Sequence, residues 1–438
     1  MIEQKKIGVI SLGCDKNTVD TEKAISVLKK RHQITTDINE AQIVLINTCA
    51  FLESSRKEAV YEILSVASLK EKGVLEKIIV SGCLSQLSKD ELFEELIEAD
   101  AFLGVSDYDK INDVIEEIYK GKRVNAVGKP KTDCLKKRTL STNGYAYLKI
   151  SDGCSNCCTY CLIPKIRGTY RSYPKAELIK EAKSLGKVKE LILVAQDTGG
   201  YGEDLTPKTT LRELISELSL LKNVEKIRLL YCYPERLTKE LILEIKNNPK
   251  VIKYIDIPFQ HADDLILKKM NRKGTGEKYL QLVKDLKTEI PDIAIRSTFI
   301  TGFPGETEEA FNNLVEFIKS AKLFNAGFFK YSREKGTVAY NMEQTVLESE
   351  KTKRIKKLYA VQKKISKQNL KSFLGKTIKV LCEGFDEDRF VYYGRAYFNA
   401  PSIDGKVYFF ANKEVKANKE YNVKIIKTED YDIYGELV

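Results

Sequence analysis

Cys154-Ser155-Asn156-Cys157-Cys158-Thr159-Tyr160-Cys161 sets four of the chain's ten cysteines on one short stretch, directly after the apolar run Tyr145 to Ile150. Two contiguous Cys-x-x-Cys pairs, Cys154/Cys157 and Cys158/Cys161, suggest zinc. A tetrahedral zinc site, however, closes between pairs held well apart by intervening chain, and here the pairs abut. Taken as Cys154-x3-Cys158-x2-Cys161, the stretch offers three thiolates on one loop. A cubane iron–sulfur cluster has more irons than that, so three protein ligands leave one iron open to bind something else. Cys157-x3-Cys161 is a second frame with no third partner in register, and a redox or structural thiol cluster is the plainer alternative.

The first frame, with aromatic Tyr160 just before its third cysteine, resembles the signature of the radical S-adenosylmethionine (SAM) enzymes. The resemblance implies that the open iron is chelated by the amino and carboxylate groups of SAM. It also implies that the reduced cluster cleaves SAM to a 5′-deoxyadenosyl radical.

A chain of 438 residues is too long for one ordinary core, and length alone suggests about three domains. No apolar run approaches the roughly 18 residues needed to span a membrane. Met1-Ile2-Glu3-Gln4-Lys5-Lys6 lacks the apolar core of a signal peptide, so a cytosolic protein with no membrane partner is expected. Ten cysteines in a reducing compartment argue for metal or chemistry rather than disulfides. With only His32 and His261, imidazole metal sites are nearly excluded. The net charge of +11 is carried by 58 Lys against 15 Arg, which is often no more than a solvated surface. Residues 122 to 138 are strongly basic, with Lys122, Arg123, Lys129, Lys131, Lys136, Lys137 and Arg138 against Asp133. Residues 371 to 438 hold 11 basic and 11 acidic side chains and are neutral.

The first segment alternates short apolar runs (Lys6 to Ser11, Ile43 to Asn47, Lys77 to Ser81, Ala101 to Leu103) with helical patterns such as Asp20 to Lys30 and Glu53 to Lys72. Alternation of this kind predicts a parallel sheet with helices on its faces. Cys14, Cys49 and Cys83 each follow one of the first three runs, at spacings of 35 and 34 residues. All three are therefore expected at the carboxyl edge of the sheet, where open α/β folds bind ligands. A single thiol after a buried strand is commonly a small apolar filler. Three in one register suggest ligands of a second three-thiolate cluster.

Residues 122 to 139 are expected as a linker. Beyond them six further strand patterns (Tyr145 to Ile150, Glu190 to Ala195, Lys226 to Tyr231, Tyr254 to Ile257, Ala294 to Ile300, Ala326 to Tyr331) alternate with helices, predicting an open six-unit β/α barrel. The cysteine loop follows the first of these strands, at the end where barrel chemistry sits. Gln196 follows the second strand, and Arg296 and Thr298 share one face of the fifth, so these three are candidates to contact SAM. Each is also an ordinary turn or strand residue, and His261 is expected to be structural. No catalytic side chain beyond the cluster ligands is singled out. After a basic helix from Glu350 to Phe373, five strand-like runs predict a small antiparallel β-barrel.

Ser11-Leu12-Gly13-Cys14-Asp15-Lys16-Asn17 with Cys49 and Cys83, the Cys154 to Cys161 motif and the β-barrel tail together resemble the methylthiotransferases over essentially the whole chain. By that resemblance the domains are an auxiliary-cluster domain (1–121), a radical SAM core (140–370) and a TRAM domain (371–438). Cys14, Cys49 and Cys83 would hold an auxiliary [4Fe-4S] cluster, and Cys154, Cys158 and Cys161 the SAM-binding one. Gln196-Asp197-Thr198 with Tyr201-Gly202, Asp256-Ile257-Pro258-Phe259-Gln260-His261 and Ala400-Pro401-Ser402-Ile403-Asp404-Gly405 are similar to the branch that modifies an aspartate β-carbon in protein twelve of the small ribosomal subunit. Cys157, Asp15 and Ser402 depart from the family pattern. The resemblance implies two SAM molecules per product, a sulfur held at the auxiliary cluster, and an electron donor such as flavodoxin or ferredoxin. The rivals are a tRNA adenosine methylthiotransferase, a non-catalytic iron–sulfur RNA-binding protein and a two-cluster electron carrier. A neutral tail with the acidic run Glu383-Gly384-Phe385-Asp386-Glu387-Asp388 disfavours phosphate binding and suits a basic protein partner.

Overall fold

Short β-branched runs joined by helices close most readily as a parallel sheet, and the chain builds two of them. The computed structural model describes residues 2–132, 138–142 and 144–438. The first sheet comprises β1 (Lys6–Ser11), β2 (Gln33–Thr35), β3 (Ile43–Thr48), β4 (Lys77–Gly82), β5 (Ala101–Leu103) and β6 (Val124–Ala126), all parallel, in the order β2-β1-β3-β4-β5-β6. Every residue of β3 is buried, as befits a central strand covered on both faces. The edge strands β2 and β6 are short and only partly buried. β6 lies in the stretch expected as a linker, so the first sheet reaches past residue 121. Two of its basic side chains are not free at the surface. Arg123 lies 4.3 Å above the Phe93 ring, and Arg138 is buried against Glu22 and Glu181. Lys136 and Lys137 lie outside the described residues.

The second sheet is the expected open barrel. β7 (Tyr145–Lys149) leads into a two-stranded ribbon, β8 (Ser151–Asp152) with β9 (Arg171–Ser172), then β10 (Val188–Val194), β11 (Val224–Leu229), β12 (Val251–Asp256), β13 (Ala294–Thr301) and β14 (Asn325–Lys330). The barrel strands run parallel in the order β14-β13-β12-β11-β10-β7, and no pairing joins β14 to β7. Four of the helices between them start at a capping threonine. Thr210, Thr238, Thr275 and Thr307 each accept a bond from the backbone N–H three residues on, worth about 1 kcal/mol apiece.

The tail forms a closed five-stranded barrel from β15 (Thr377–Asp386), β16 (Val391–Arg395), β17 (Val407–Phe410), β18 (Glu420–Thr428) and β19 (Ile433–Leu437). Four ladders are antiparallel as expected, but closure comes from a parallel pairing of β17 with β19. β18 pairs on the far side with β15, and β19 then returns alongside β17 in the same direction. Among the described residues no helix is long and apolar enough to cross a membrane.

The small barrel packs into the concave face of the large one. Ala396, Phe398 and Ala400 share a core with Tyr147, Ile192, Val194, Leu230 and Tyr254. Glu190 of β10 ties the two together, accepting from Arg228 Nε of β11 at 2.5 Å and from Arg395 Nη1 of β16 at 2.9 Å. Arg395 also reaches Glu383 at 2.7 Å, and Asp386 faces Arg389 at 3.6 Å, so half of the acidic run is already paired within the protein. Burial alone would push the Glu190 carboxyl up, but Arg228 and Arg395 outweigh it and hold it below the usual carboxylate range.

Glu190→Ala removes the carboxylate that two buried guanidiniums share. It should lower the unfolding free energy by about 3–5 kcal/mol, seen as an earlier midpoint in chemical denaturation. Because the folded pKa is depressed, the Glu190 contribution is complete above the unfolded value of about 4.3 and is lost as pH falls through the folded one. Glu190→Gln should flatten that acid limb.

Candidate functional site

β1, β3 and β4 are neighbours in the first sheet, and Cys14, Cys49 and Cys83 follow their carboxyl ends. Sheet order thus gathers three thiols far apart in sequence at one edge. The helix after Cys14 begins at Asp15 rather than Asp20, so Cys14 is its N-cap residue, and Cys83 opens the helix Cys83–Leu87. The loops lie so close that a Cβ on Gly13 would meet the Cys49 Cβ at 2.8 Å. At Gly82, φ is +95° and a Cβ would come 2.3 Å from Asn47 Oδ1, so only glycine fits before Cys83. The Asn17 amide donates to Leu12 O at 2.9 Å and Thr48 O at 3.0 Å, the Asn47 amide donates to Asn17 O at 3.0 Å, and the Thr48 hydroxyl donates to Ser81 O at 2.6 Å, which locks the three loops together. Burial pushes the Cys83 thiol up to about 11, opposed by Arg167 and reinforced by Cys14 and Cys49. Burial raises Cys49 as well. Metal binding here must therefore displace protons.

The second cysteine loop is pinched at its base by the β8–β9 ribbon. Gly153, at φ +76°, passes so close that a Cβ would lie 2.2 Å from Thr169 O. Cys154 N donates to Gly168 O at 3.2 Å, Cys161 N to Cys158 O at 3.1 Å and Ile163 N to Cys161 Sγ at 3.4 Å. Burial, with a smaller contribution from the nearby Cys158, pushes Cys161 up to about 12 and Cys154 up to about 11. Cys157 differs. It is exposed, has φ +52°, and its thiol turns back onto Ser155 O at 3.5 Å. Cys158 lies near enough to Cys154 and Cys161 to act on both thiols, and Cys157 turns aside.

Neither set of thiols, nor any other three His, Cys, Asp or Glu side chains among the described residues, is grouped for a single metal ion. A cubane cluster is wider than an ion, and its cysteine ligands stand correspondingly farther apart. The Cys154 to Cys161 loop offers three half-buried thiols above a tight glycine, and the first edge offers Cys83 buried, Cys49 half-buried and Cys14 exposed; each set consists of soft donors able to lose a proton and fits such a group.

Of the residues expected to meet SAM, Gln196 lies just past β10 with its Oε1 buried and without a partner among the described residues. Arg296 and Thr298 do share a face of β13, with Nη1 to Oγ1 at 3.4 Å. Arg296 also sits between two carboxylates, Asp256 at 2.9 Å and Asp404 of the tail at 3.5 Å, which a SAM carboxylate would have to compete with. His261 accepts from Asp263 N on Nδ1 and meets Glu306 on Nε2 at 3.0 Å, a buried structural histidine as expected.

Two arginines at the thiols had no signature in the sequence. Arg272 is buried, its guanidinium 3.8 Å above the Tyr233 ring and its Nη1 3.9 Å from Cys158 Sγ. Its Nε has no partner among the described residues. Arg167 donates from Nη2 to Cys83 Sγ at 3.5 Å, although it belongs to the chain just after the other cysteine loop. Only Arg167 carried a signal, and it was position alone, just past the cysteine loop; Arg272 lies more than a hundred residues beyond that loop in the sequence and carried none. The two edges face each other, since Tyr231 of the barrel donates to Asp15 at 3.0 Å and Lys16 Nζ lies 3.4 Å above the Tyr231 ring.

Three family descriptions match the chain: Radical SAM superfamily over residues 148–318, Uncharacterized protein family UPF0004 over 6–104, and TRAM domain over 374–438. Among curated proteins, the ribosomal protein uS12 methylthiotransferase RimO of Acetivibrio thermocellus is 47% identical, covering 99% of both chains. The protein of the same name from Thermoanaerobacter sp. is 46% identical over 99% of this chain and 100% of its own. Among solved structures, the radical SAM methyltransferase TsrM of Kitasatospora setae aligns with a TM-score of 0.56 at 14% identity, covering 75% of each chain. The cobalamin-dependent SAM radical enzyme OxsB aligns with 0.55 at 15% identity, over 77% of this chain and 55% of its own. At such identities the structural likeness speaks for the fold alone.

Proposed function

We propose, from the premise that this chain belongs to the family of ribosomal protein uS12 methylthiotransferases named RimO, that it replaces a hydrogen on the β-carbon of an aspartate in uS12 by a methylthio group. The observation that carries this reading is the pair of three-thiol edges, one per parallel sheet, turned toward each other in a chain related to those enzymes from end to end. When bound, two [4Fe-4S] clusters and two molecules of SAM per product supply the radical, the sulfur and the methyl group that no side-chain acid or base could provide at an unactivated C–H bond.

The protein's own part is placement. Cys14, Cys49 and Cys83 hold the auxiliary cluster, and Cys154, Cys158 and Cys161 the SAM-binding one. Gln196 and Thr298 orient SAM, with Arg296 beside them. Tyr231, Asp15 and Lys16 set the spacing between the two edges, so that the aspartate side chain enters between them with water kept out. The ligand sets need electrons from outside the chain, for which a flavodoxin or ferredoxin is the expected class of donor.

Mass spectrometry of ribosomal proteins and of tRNA nucleosides from a deletion strain tests the substrate. Loss of a methylthio mass from uS12, restored by the gene, is the expected result. Loss from a tRNA adenosine with uS12 unchanged would overturn the assignment while leaving the radical core in place.

A further inference from the structure

Arg167 is almost wholly buried between the two halves of the site. Its Nη1 donates to Asp20 at 2.8 Å and Asp152 at 3.1 Å; its Nη2 donates to Asn17 Oδ1 at 2.8 Å and reaches Cys83 Sγ at 3.5 Å. Lys149 Nζ bonds the same two carboxylates, Asp20 at 2.5 Å and Asp152 at 3.0 Å. Burial would raise the Asp152 carboxyl, but Arg167 and then Lys149 hold it well below the usual range. Lys23 adds a further positive charge near Asp152, and the second arm of Arg167 is shared between Asn17 and the Cys83 thiol. Asp20 and Asn17 belong to the helix that follows Cys14, Cys83 opens the helix after β4, and Asp152 and Arg167 flank the Cys154 to Cys161 loop. One side chain thus touches the supports of both cysteine sets.

We propose that Arg167 is a positioning residue for the auxiliary cluster, holding the Cys83 sulfur by a charge-assisted N–H···S bond from the SAM-cluster loop and thereby raising that cluster's reduction potential. The inference rests on the ligand assignment above. A cation and an N–H donor at a ligating sulfur both favour the reduced, more negative state. Arg167 and Cys83 are both buried, so the effect between them is only weakly screened. Asp152, which neutralises part of Arg167 without touching Cys83, should act with the opposite sign.

The test is potentiometry followed by electron paramagnetic resonance on the full-length protein, reconstituted anaerobically with iron and sulfide. Cys154, Cys158 and Cys161 are replaced by alanine so that only the auxiliary signal remains. Relative to that parent, Arg167→Gln should shift the midpoint to lower potential at unchanged iron content, Arg167→Lys should shift it less, and Asp152→Asn should shift it upward. Full iron with an unshifted midpoint in Arg167→Gln overturns the proposal. If Arg167→Gln fails to hold iron, Asp152→Asn decides: an upward shift supports the proposal and none overturns it. A parent that binds no iron at all would instead overturn the Cys14, Cys49 and Cys83 assignment, and this inference with it.

Discussion

The protein with Cys154, Cys158 and Cys161 all replaced by alanine should form no 5′-deoxyadenosine from SAM under reducing conditions, while keeping iron and sulfide for about one [4Fe-4S] cluster. Loss to background is expected because the loop has no substitute ligand. Cys157 is the only other thiol on it, and its sulfur is bent back onto Ser155 O. Cys157→Ala alone should therefore keep both clusters and full cleavage. Nucleoside chromatography and iron analysis on the two proteins check this. Continued 5′-deoxyadenosine formation by the triple variant would show the ligand set to be wrong. Loss of iron in Cys157→Ala would favour the frame through Cys157.

The complementary triple variant, Cys14, Cys49 and Cys83 to alanine, should cleave SAM at close to the parent rate yet yield no methylthiolated uS12. The thiols belong to the first sheet and the radical SAM loop to the second, so removing one set leaves the other loop's own bonds, Cys154 N to Gly168 O and Cys161 N to Cys158 O, untouched. The assay should run without added sulfide, which could bypass the missing site. Methylthiolated product at the parent rate would defeat the division of roles between the two edges. A small fall in cleavage is compatible with it, because Arg167 loses its contact with Cys83 when that thiol goes.

The cysteines were legible because each set leaves a local trace: a dense cluster in one case, a strand-to-strand spacing in the other. Strand positions followed in the same way, and the long runs of the barrel came within about three residues of their ends. β2 and β6 did not show, since each is a three-residue edge strand that is only partly buried and lacks the apolar run that marked the equally short but buried β5. The helix after Cys14 was placed late because its first turn, Asp15 to Thr18, is polar but nevertheless largely buried at the site. Charge was the least legible property. Arg138, Lys149 and Arg167 carry no mark that separates them from surface cations, yet all are buried and paired across tens to more than a hundred residues of sequence. In the acidic run, the pairing of Glu383 with Arg395 could not be read from the sequence either.

The contact made by Asp404 bears on how this family can be re-engineered. Its carboxylate accepts from Tyr254 Oη at 2.7 Å and from Ala400 N at 2.8 Å and faces Arg296 Nε at 3.5 Å, inside the concave wall of the large barrel. The C-terminal piece is thus a stopper whose underside is cut to one bottle. A chimera that borrows this piece from another enzyme to redirect recognition inherits that underside as well, and would bring an unmatched surface against Tyr254, Arg296 and Glu190. Grafts that exchange only the outward loops and retain Arg395 and Asp404 keep the fit, which makes the outward loops the part of this domain free to diverge.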